Sequence, residues 1–173
     1  MPWPFDPFVE EIKPTFKESA FNQCDWSEFY PEAQEALPLN MPEQPKGNSV
    51  NITVFVDADH AGNRATHHSF TGIFIYVNRA PIIWYSKHQN TAEMSTFGSE
   101  FVAMRIATEI TGGLRYWLCM LGIPIDGSAS VFCDNMSVVM NTTRPESMLK
   151  KKHNAIAYHR VHKAVAAGII CIT

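Results

Sequence analysis

From Val50 onward, hydrophobic and polar positions alternate in short runs that are typical of β-strands. Such runs occupy residues 51–58, 69–77 and 81–86, and the last two are rich in β-branched and aromatic residues. Between them, Asn78-Arg79-Ala80 is typical of a tight turn, because asparagine tolerates positive φ angles. The pattern therefore predicts three strands joined as an antiparallel meander.

The spacing of hydrophobic residues changes after residue 95, from a period of two to a period of about 3.6. Phe97, Phe101 and Met104 share one stripe of a helix predicted over 97–111, with Ser95 and Thr96 as its cap. Gly112-Gly113 is predicted to interrupt the chain before a second helix. The remaining predicted elements are a helix over 114–121, a strand over 129–133, helices over 135–142 and 150–166, and a strand from 169.

This order of elements predicts an α/β fold. A meander followed by helical crossovers gives a five-stranded mixed sheet, in which the antiparallel three-strand meander is extended by two crossover strands and helices cover the faces. Trp84 and Trp117 are predicted to belong to the core.

The first 48 residues have a different composition from the rest. They hold eight of the eleven prolines, and nine acidic residues against three basic ones, whereas 49–173 holds eight acidic and eleven basic residues. We expect an acidic, Pro-rich arm or linker over 1–48, with one short helix near 31–37, preceding a domain over 49–173. The arm's aromatic residues are expected to pack on that domain; they are Trp3, Phe5, Trp26, Phe29 and Tyr30.

Composition also bears on the compartment. No apolar run approaches the ~18 residues of a membrane span, and the acidic, Pro-rich N-terminus is unlike a secretory signal. The four cysteines are scattered without a CxxC pair, which is typical of a reducing compartment. We expect no membrane association and an intracellular location, cytoplasmic or nuclear, rather than secretion.

Three acidic residues lie at predicted strand ends or at a predicted helix start, where they could form a metal site. Asp57 ends the first predicted strand, Glu100 falls in the first turn of the long helix, and Asp134 follows the fourth strand directly. If the first and fourth strands are adjacent and parallel, both aspartates emerge at one edge of the sheet, and the helix start can lie over it. Converging carboxylates bind hard divalent cations, usually Mg²⁺, and two such ions can activate water against a phosphodiester.

Each acid also has an ordinary structural interpretation. Asp57 suits a turn, Glu100 suits a helix N-terminus, and Asp134 suits an N-cap. Asp59 shares a strand face with Asp57 and is compatible with either a metal ligand or a turn residue.

At this point the sequence resembles a known family. The segments VDADHAG, TGIFIYVNRAPIIWYSKHQN, STFGSEFVAM, VFCDN and LKKKHNAIAYHRV, in this order, resemble the ribonuclease H domain of copia-type retrotransposon Pol polyproteins. The preceding WSEFYPEAQEALPLNMPEQPKG resembles the lead-in from a reverse transcriptase domain. The resemblance covers residues 48–173 and extends back to about residue 26.

The resemblance implies a ribonuclease H-like fold and hydrolysis of the RNA strand of RNA–DNA hybrids. Asp57 matches the family's first catalytic aspartate, Glu100 its glutamate and Asp134 the aspartate of CDN. The resemblance further implies two Mg²⁺ ions, with Mn²⁺ as a substitute, and a reverse transcriptase domain on the N-terminal side in the parent polyprotein.

The sequence departs from the family in two places. The family's fourth acid lies in an Ala-Asp helix after the fifth strand, and this sequence stops at Thr173 before that motif. The family also favours arginine where Thr66-His67-His68 stands. A domain lacking the final helix is expected to cleave weakly or not at all, so a catalytically silent, truncated nucleic-acid-binding remnant is the alternative to an active Mg²⁺-dependent endoribonuclease.

Nucleic-acid contacts are expected from two groups of residues. A basic, acid-free run suits phosphate contact, although an ordinary solvated helix face would look the same; it consists of Lys150, Lys151, Lys152, Arg160 and Lys163. Small polar groups beside the acids could contact 2′-hydroxyls, although helix capping would also explain them; they are Ser95, Thr96 and Asn135.

Overall fold

The computed structural model describes residues 25–62, 68–90, 93, 95–147 and 155–173. The elements in chain order are β1 (Ile52–Asp59), β2 (Phe70–Val77), β3 (Ala80–His88), α1 (Thr96–Met120), β4 (Ala129–Cys133), α2 (Met136–Thr143), α3 (Ala155–Ala166) and β5 (Ile170–Ile172). None of these helices is long and apolar enough to cross a membrane.

The five strands form one mixed sheet in the order β3-β2-β1-β4-β5. β1, β2 and β3 pair antiparallel, while β4 pairs parallel with both β1 and β5. The predicted fold class is therefore confirmed, including the parallel pairing of β1 with β4. Val56 of β1 is the register partner of Cys133 in β4, so the residues that follow them emerge at the same edge.

The core lies between the sheet and the helices. The even-numbered residues of β1 are buried, and so are Ile73 and Ile75 of β2. Phe101 and Met104 of α1 are fully buried and belong to the same hydrophobic cluster. The odd-numbered residues of β1, including Asp57 and Asp59, lie on the opposite and more exposed face.

Two helix predictions were wrong. α1 runs without interruption from Thr96 to Met120, so Gly112-Gly113 does not end it. Two glycines cost a helix roughly 2 kcal/mol relative to alanine, and buried contacts of Thr111 and Leu118 on either side offset that cost. The short helix expected near 31–37 is absent from that described segment, where the turn at Pro31-Glu32 leads into irregular backbone.

The two tryptophans predicted as core are exposed. Trp84 is 72% exposed, since it faces away from the buried side of the sheet on edge strand β3, opposite half-exposed Phe74. Trp117 is 63% exposed on α1, where the neighbouring Leu118 takes the buried position instead. Hydrophobicity alone therefore misassigned both side chains.

Residues 25–48 contact the domain at several points. The Trp26 ring packs edge-on against His162 of α3, with centroids 5.1 Å apart, and the Tyr30 hydroxyl lies 2.8 Å from Nδ1 of His159. Glu35 forms an ion pair with Arg115 of α1 at 2.6 Å. Of the expected aromatic contacts, those of Trp3 and Phe5 lie outside the described residues.

Candidate metal centre

Two neighbouring parallel strands position the two aspartates. Asp57 lies in β1, two residues before its end, where it pairs with Gly72 of β2. Asp134 directly follows β4. Both are exposed, and both line a cavity of about 520 Å³ beside the sheet. Solvent and small ions can therefore reach this edge.

Glu100 approaches the same edge from the helix side. It is the fifth residue of α1, one residue further in than the predicted start at Phe97 implies, and Ser95 caps the helix as predicted. The Glu100 side chain is 7% exposed, and its Oε2 finds no hydrogen-bond partner among the described residues. A buried carboxylate oxygen left in this state is costly unless a cation or a proton joins it.

Burial and two neighbouring carboxylates together raise the pKa of Glu100. The ordinary value of 4.5 rises to about 7, first because of burial and then because of the charges of Asp57 and Asp134. The Ala58 backbone N–H, which donates to the carboxylate, opposes the rise in pKa. The three acids therefore lie within electrostatic range of one another.

A fourth residue, missed by the sequence analysis, belongs to the cluster. One ligand atom each of Glu100, Cys133 and Asp134 lie within 4.8 Å of one another, a group that does not include Asp57. Burial, as the largest cause, raises the pKa of the Cys133 thiol to about 11. In the sequence, only its position could have indicated this role for Cys133, because it ends β4 and directly precedes Asp134.

A buried glutamine joins the end of β3 to the first turns of α1. Gln89 Nε2 donates to the Ser99 carbonyl and to Thr71 Oγ1, each over 2.9 Å. The Ser99 hydroxyl donates to the Thr96 carbonyl over 2.9 Å and lies 3.3 Å from His60 Nδ1. These bonds set the position of the helix turn that carries Glu100.

The donor set suits a divalent cation. Three carboxyl groups supply the hard oxygen ligands that Mg²⁺ prefers, and the buried Oε2 of Glu100 lacks a partner among the described residues. Positive charge between the carboxylates would remove the repulsion that raises the Glu100 pKa. Asp59 is exposed at the end of β1, where its carboxylate lies against Gly62.

The small polar residues take capping positions. Ser95 Oγ accepts from the Gly98 N–H, and Asn135 Oδ1 accepts from the N–H groups of Ser137 and Val138. Thr96 is exposed. Capping is therefore observed for two of the three, and contact with nucleic acid stays a prediction for all three.

The structure describes two of the five predicted basic residues. Lys150, Lys151 and Lys152 lie outside the described residues. Arg160 and Lys163 are exposed on α3 and line a cavity of about 300 Å³ next to Gly112-Gly113. Gly112 is twelve residues along α1 from Glu100, a distance of about 18 Å. Phosphate contact by these residues stays a prediction.

Comparison with known proteins identifies relatives among transposon polyproteins. No protein-family model matches the chain. Over 129 residues, 72% of this chain, it is 29% identical to the retrovirus-related Pol polyproteins from transposons RE1 and RE2 of Arabidopsis thaliana. The chain spans less than a tenth of their length, 8% and 9% respectively. The resemblance noted from the motifs is thereby confirmed.

Solved structures confirm the fold. LC11-RNase H1, isolated from compost, matches with a TM-score of 0.53 and 14% identity, covering 71% of this chain and 82% of that one. The N-terminal RNase H domain of a Mycobacterium tuberculosis protein matches with a TM-score of 0.52 and 14% identity, covering 72% and 80%. LC11-RNase H1 has also been solved in complex with an RNA/DNA hybrid. The chain described here has the ribonuclease H-like fold.

Proposed function

We propose that the chain is the ribonuclease H domain of a retrotransposon Pol polyprotein, and that it hydrolyses the RNA strand of RNA–DNA hybrids by two-metal-ion catalysis. The catalytic unit is residues 49–173, preceded by the arm over 1–48 and, in the parent polyprotein, by a reverse transcriptase domain. The relatives named above and the fold support this proposal.

One observation carries the proposal. Glu100 is buried beside two other carboxylates, its pKa is raised to about 7, and Oε2 has no partner among the described residues. A purely structural carboxylate would be expected to have a hydrogen-bond partner or a basic neighbour. A cluster with this repulsion, open to a cavity, favours a cation site at which chemistry takes place.

Asp57, Glu100 and Asp134 would hold the two Mg²⁺ ions, with Mn²⁺ as a substitute. The chemistry that such a pair supplies is activation of the attacking water and stabilisation of the leaving oxygen of the phosphodiester. The Ala58 N–H orients the Glu100 carboxylate, and Gln89 fixes the helix turn behind it. Asp57 and Asp134, on the exposed edge, are the two acids that face an incoming substrate.

Hybrid recognition is proposed to use two sets of contacts. Ser95, Thr96 and Asn135 lie near the start of α1 and α2, where small polar groups can contact 2′-hydroxyls in the wide minor groove. Arg160 and Lys163 add charge on α3, together with the lysines at 150–152, for contact with phosphates further along the duplex.

Cleavage of a hybrid carrying a labelled RNA strand tests the function directly. We expect RNA-strand products in Mg²⁺ or Mn²⁺, none from duplex DNA, and loss of products with a chelator. Asp57→Asn, Glu100→Gln and Asp134→Asn should each lower the rate at least about 100-fold, because each removes a ligand charge. Exposed Asp126, in the loop before β4, offers the matched control Asp126→Asn, which should cleave normally.

A binding measurement distinguishes an active ribonuclease from a catalytically silent, nucleic-acid-binding remnant. Hybrid affinity is measured by fluorescence anisotropy with Ca²⁺ in place of Mg²⁺. Binding without cleavage in either Mg²⁺ or Mn²⁺ would overturn the catalytic proposal and favour the silent, nucleic-acid-binding remnant.

A further inference from the structure

Cys133 is the member of the cluster that the proposed function does not use. Its Sγ, one oxygen of Glu100 and one oxygen of Asp134 lie within 4.8 Å of one another. Cys133 and Asp134 also line the cavity of about 520 Å³, so an ion can enter from solvent. A sulfur ligand therefore stands beside two oxygen ligands at an accessible position.

This mixed set of donors suits a different class of ion from Mg²⁺. Mg²⁺ and Ca²⁺ bind oxygen and avoid sulfur, whereas Zn²⁺ and similar ions prefer thiolate and accept carboxylate. Ligand atoms around a tetrahedral Zn²⁺ are about 3.6 Å apart, and the three atoms here lie within 4.8 Å of one another, so movements of about an ångström or less bring them to that spacing. The Glu100 carboxylate is available for such an ion, because its buried Oε2 has no hydrogen-bond partner among the described residues.

We propose that Cys133, Glu100 and Asp134 form a mixed thiolate–carboxylate site for thiophilic divalent cations, of the class of Zn²⁺ and Cd²⁺. The thiol releases its proton to the buffer as the metal–sulfur bond forms. Because two of the ligands are shared, such an ion competes with Mg²⁺ for the carboxylates. The inference uses the same carboxylates as the proposed function but does not depend on cleavage.

Absorbance titration with Cd²⁺ tests the site without nucleic acid. The chain is prepared with Cys24, Cys119 and Cys171 replaced by serine, so that Cys133 is the only thiol. Cd²⁺ should then produce a saturable sulfur-to-metal charge-transfer band with one ion per chain. Cys133→Ser in this background should abolish the band, and Glu100→Gln should weaken Cd²⁺ binding at least about tenfold.

Calorimetry on the otherwise unaltered chain provides the second measurement, which does not require the serine background to fold. Cys133→Ser should weaken Cd²⁺ binding at least about tenfold and change Mg²⁺ affinity less than about twofold. Cys171→Ser is the matched control, because Cys171 is also a strand cysteine but lies at a different level of the sheet. It pairs in register with Ser130 of β4, whereas Cys133 pairs with Val56 of β1. It should leave both affinities unchanged.

The outcomes separate this inference from the proposed function. Cd²⁺ binding that is indifferent to Cys133, in a chain that cleaves hybrids with Mg²⁺, would overturn the inference alone. Cys133-dependent Cd²⁺ binding in a chain that does not cleave would support the inference and count against the proposed function. Equal losses of Cd²⁺ and Mg²⁺ affinity in Cys133→Ser would also overturn the inference. They would mean that the substitution disturbs the structure of the site and does not remove a metal ligand.

Discussion

Gln89 Nε2 donates to the main-chain carbonyl of Ser99 over 2.9 Å, which joins the end of β3 to the helix turn that carries Glu100. Gln89 is 3% exposed, and its second amide hydrogen reaches Thr71 Oγ1 in β2. The meander therefore fixes the depth and rotation of α1 from outside the carboxylate cluster. A residue in this position can control cation binding without touching the cation.

Replacing Gln89 should affect stability and cation affinity together. Gln89→Leu keeps the volume but leaves two buried partners short of a donor, so we expect a loss of about 2 kcal/mol in the free energy of unfolding. Mg²⁺ affinity, measured by calorimetry on the folded variant, should fall about tenfold because the Glu100 turn loses its support. Exposed Asn90 offers the control Asn90→Leu, and equal effects from both changes would contradict the positioning role.

The raised pKa of Glu100 makes stability depend on pH when divalent ions are chelated. The pKa is about 7 in the folded chain against an ordinary 4.5, so the folded state holds the proton more tightly than the unfolded state. The cost of ionising Glu100 in the folded state destabilises the fold. This destabilisation is absent below pH 4.5, grows as pH rises from 4.5 to 7, and is complete above pH 7. Its full size is about 3 kcal/mol.

Glu100→Gln should remove this dependence. In chelator, the variant and the parent should be equally stable near pH 4.5, and the variant should be more stable by up to about 3 kcal/mol at pH 8. Denaturant unfolding at a series of pH values measures the difference, with exposed Glu43→Gln as the control. A difference that stays constant from pH 4.5 to 8 would show that Glu100 does not titrate in this range.

Exposure should decide the cost of losing an aromatic side chain. Trp84→Ser should change the free energy of unfolding by less than about 1 kcal/mol, because Trp84 is 72% exposed on edge strand β3. Phe101→Ala should cost about 3–5 kcal/mol, because Phe101 is fully buried in the core. Denaturant unfolding of both variants tests the assignment, and similar costs would mean that Trp84 is covered in solution.

The sequence predicted two kinds of feature correctly: elements with a regular hydrophobic pattern, and polar residues that directly follow a strand. Alternating or short apolar runs located all five strands, and the placement of Asp134 directly after β4 indicated which sheet edge it would occupy. Sequence could not show which face of β3 is covered, and so Trp84 was misplaced. The roles of Gln89 and Cys133 depend on partners ten and thirty-three residues away, a relation that only the folded chain establishes.

Two ion pairs on α1 allow the docking of the arm to be measured. Arg115 donates to both carboxylate oxygens of Glu35, at 2.6 and 2.8 Å, and to the Gly127 carbonyl at 2.8 Å. Its side chain is 7% exposed and that of Glu35 is 24% exposed. Arg105 and Glu109, one turn apart on the same helix, form a pair at 2.9 Å with exposures of 33% and 40%.

Glu35→Gln should cost about 3 kcal/mol, because it leaves the buried guanidinium of Arg115 without a compensating charge. Adding Arg115→Met should recover much of that loss, which gives a coupling energy of about 2 kcal/mol in a double-mutant cycle. The same cycle with Glu109→Gln and Arg105→Met should give about 0.5 kcal/mol or less, because solvent screens that pair. Denaturant unfolding measures both cycles under identical conditions. Coupling energies of about 0.5 kcal/mol or less in both cycles would mean that the arm does not dock on α1 in solution, since of these two pairs the Glu35–Arg115 pair is the one that joins the arm to the helix.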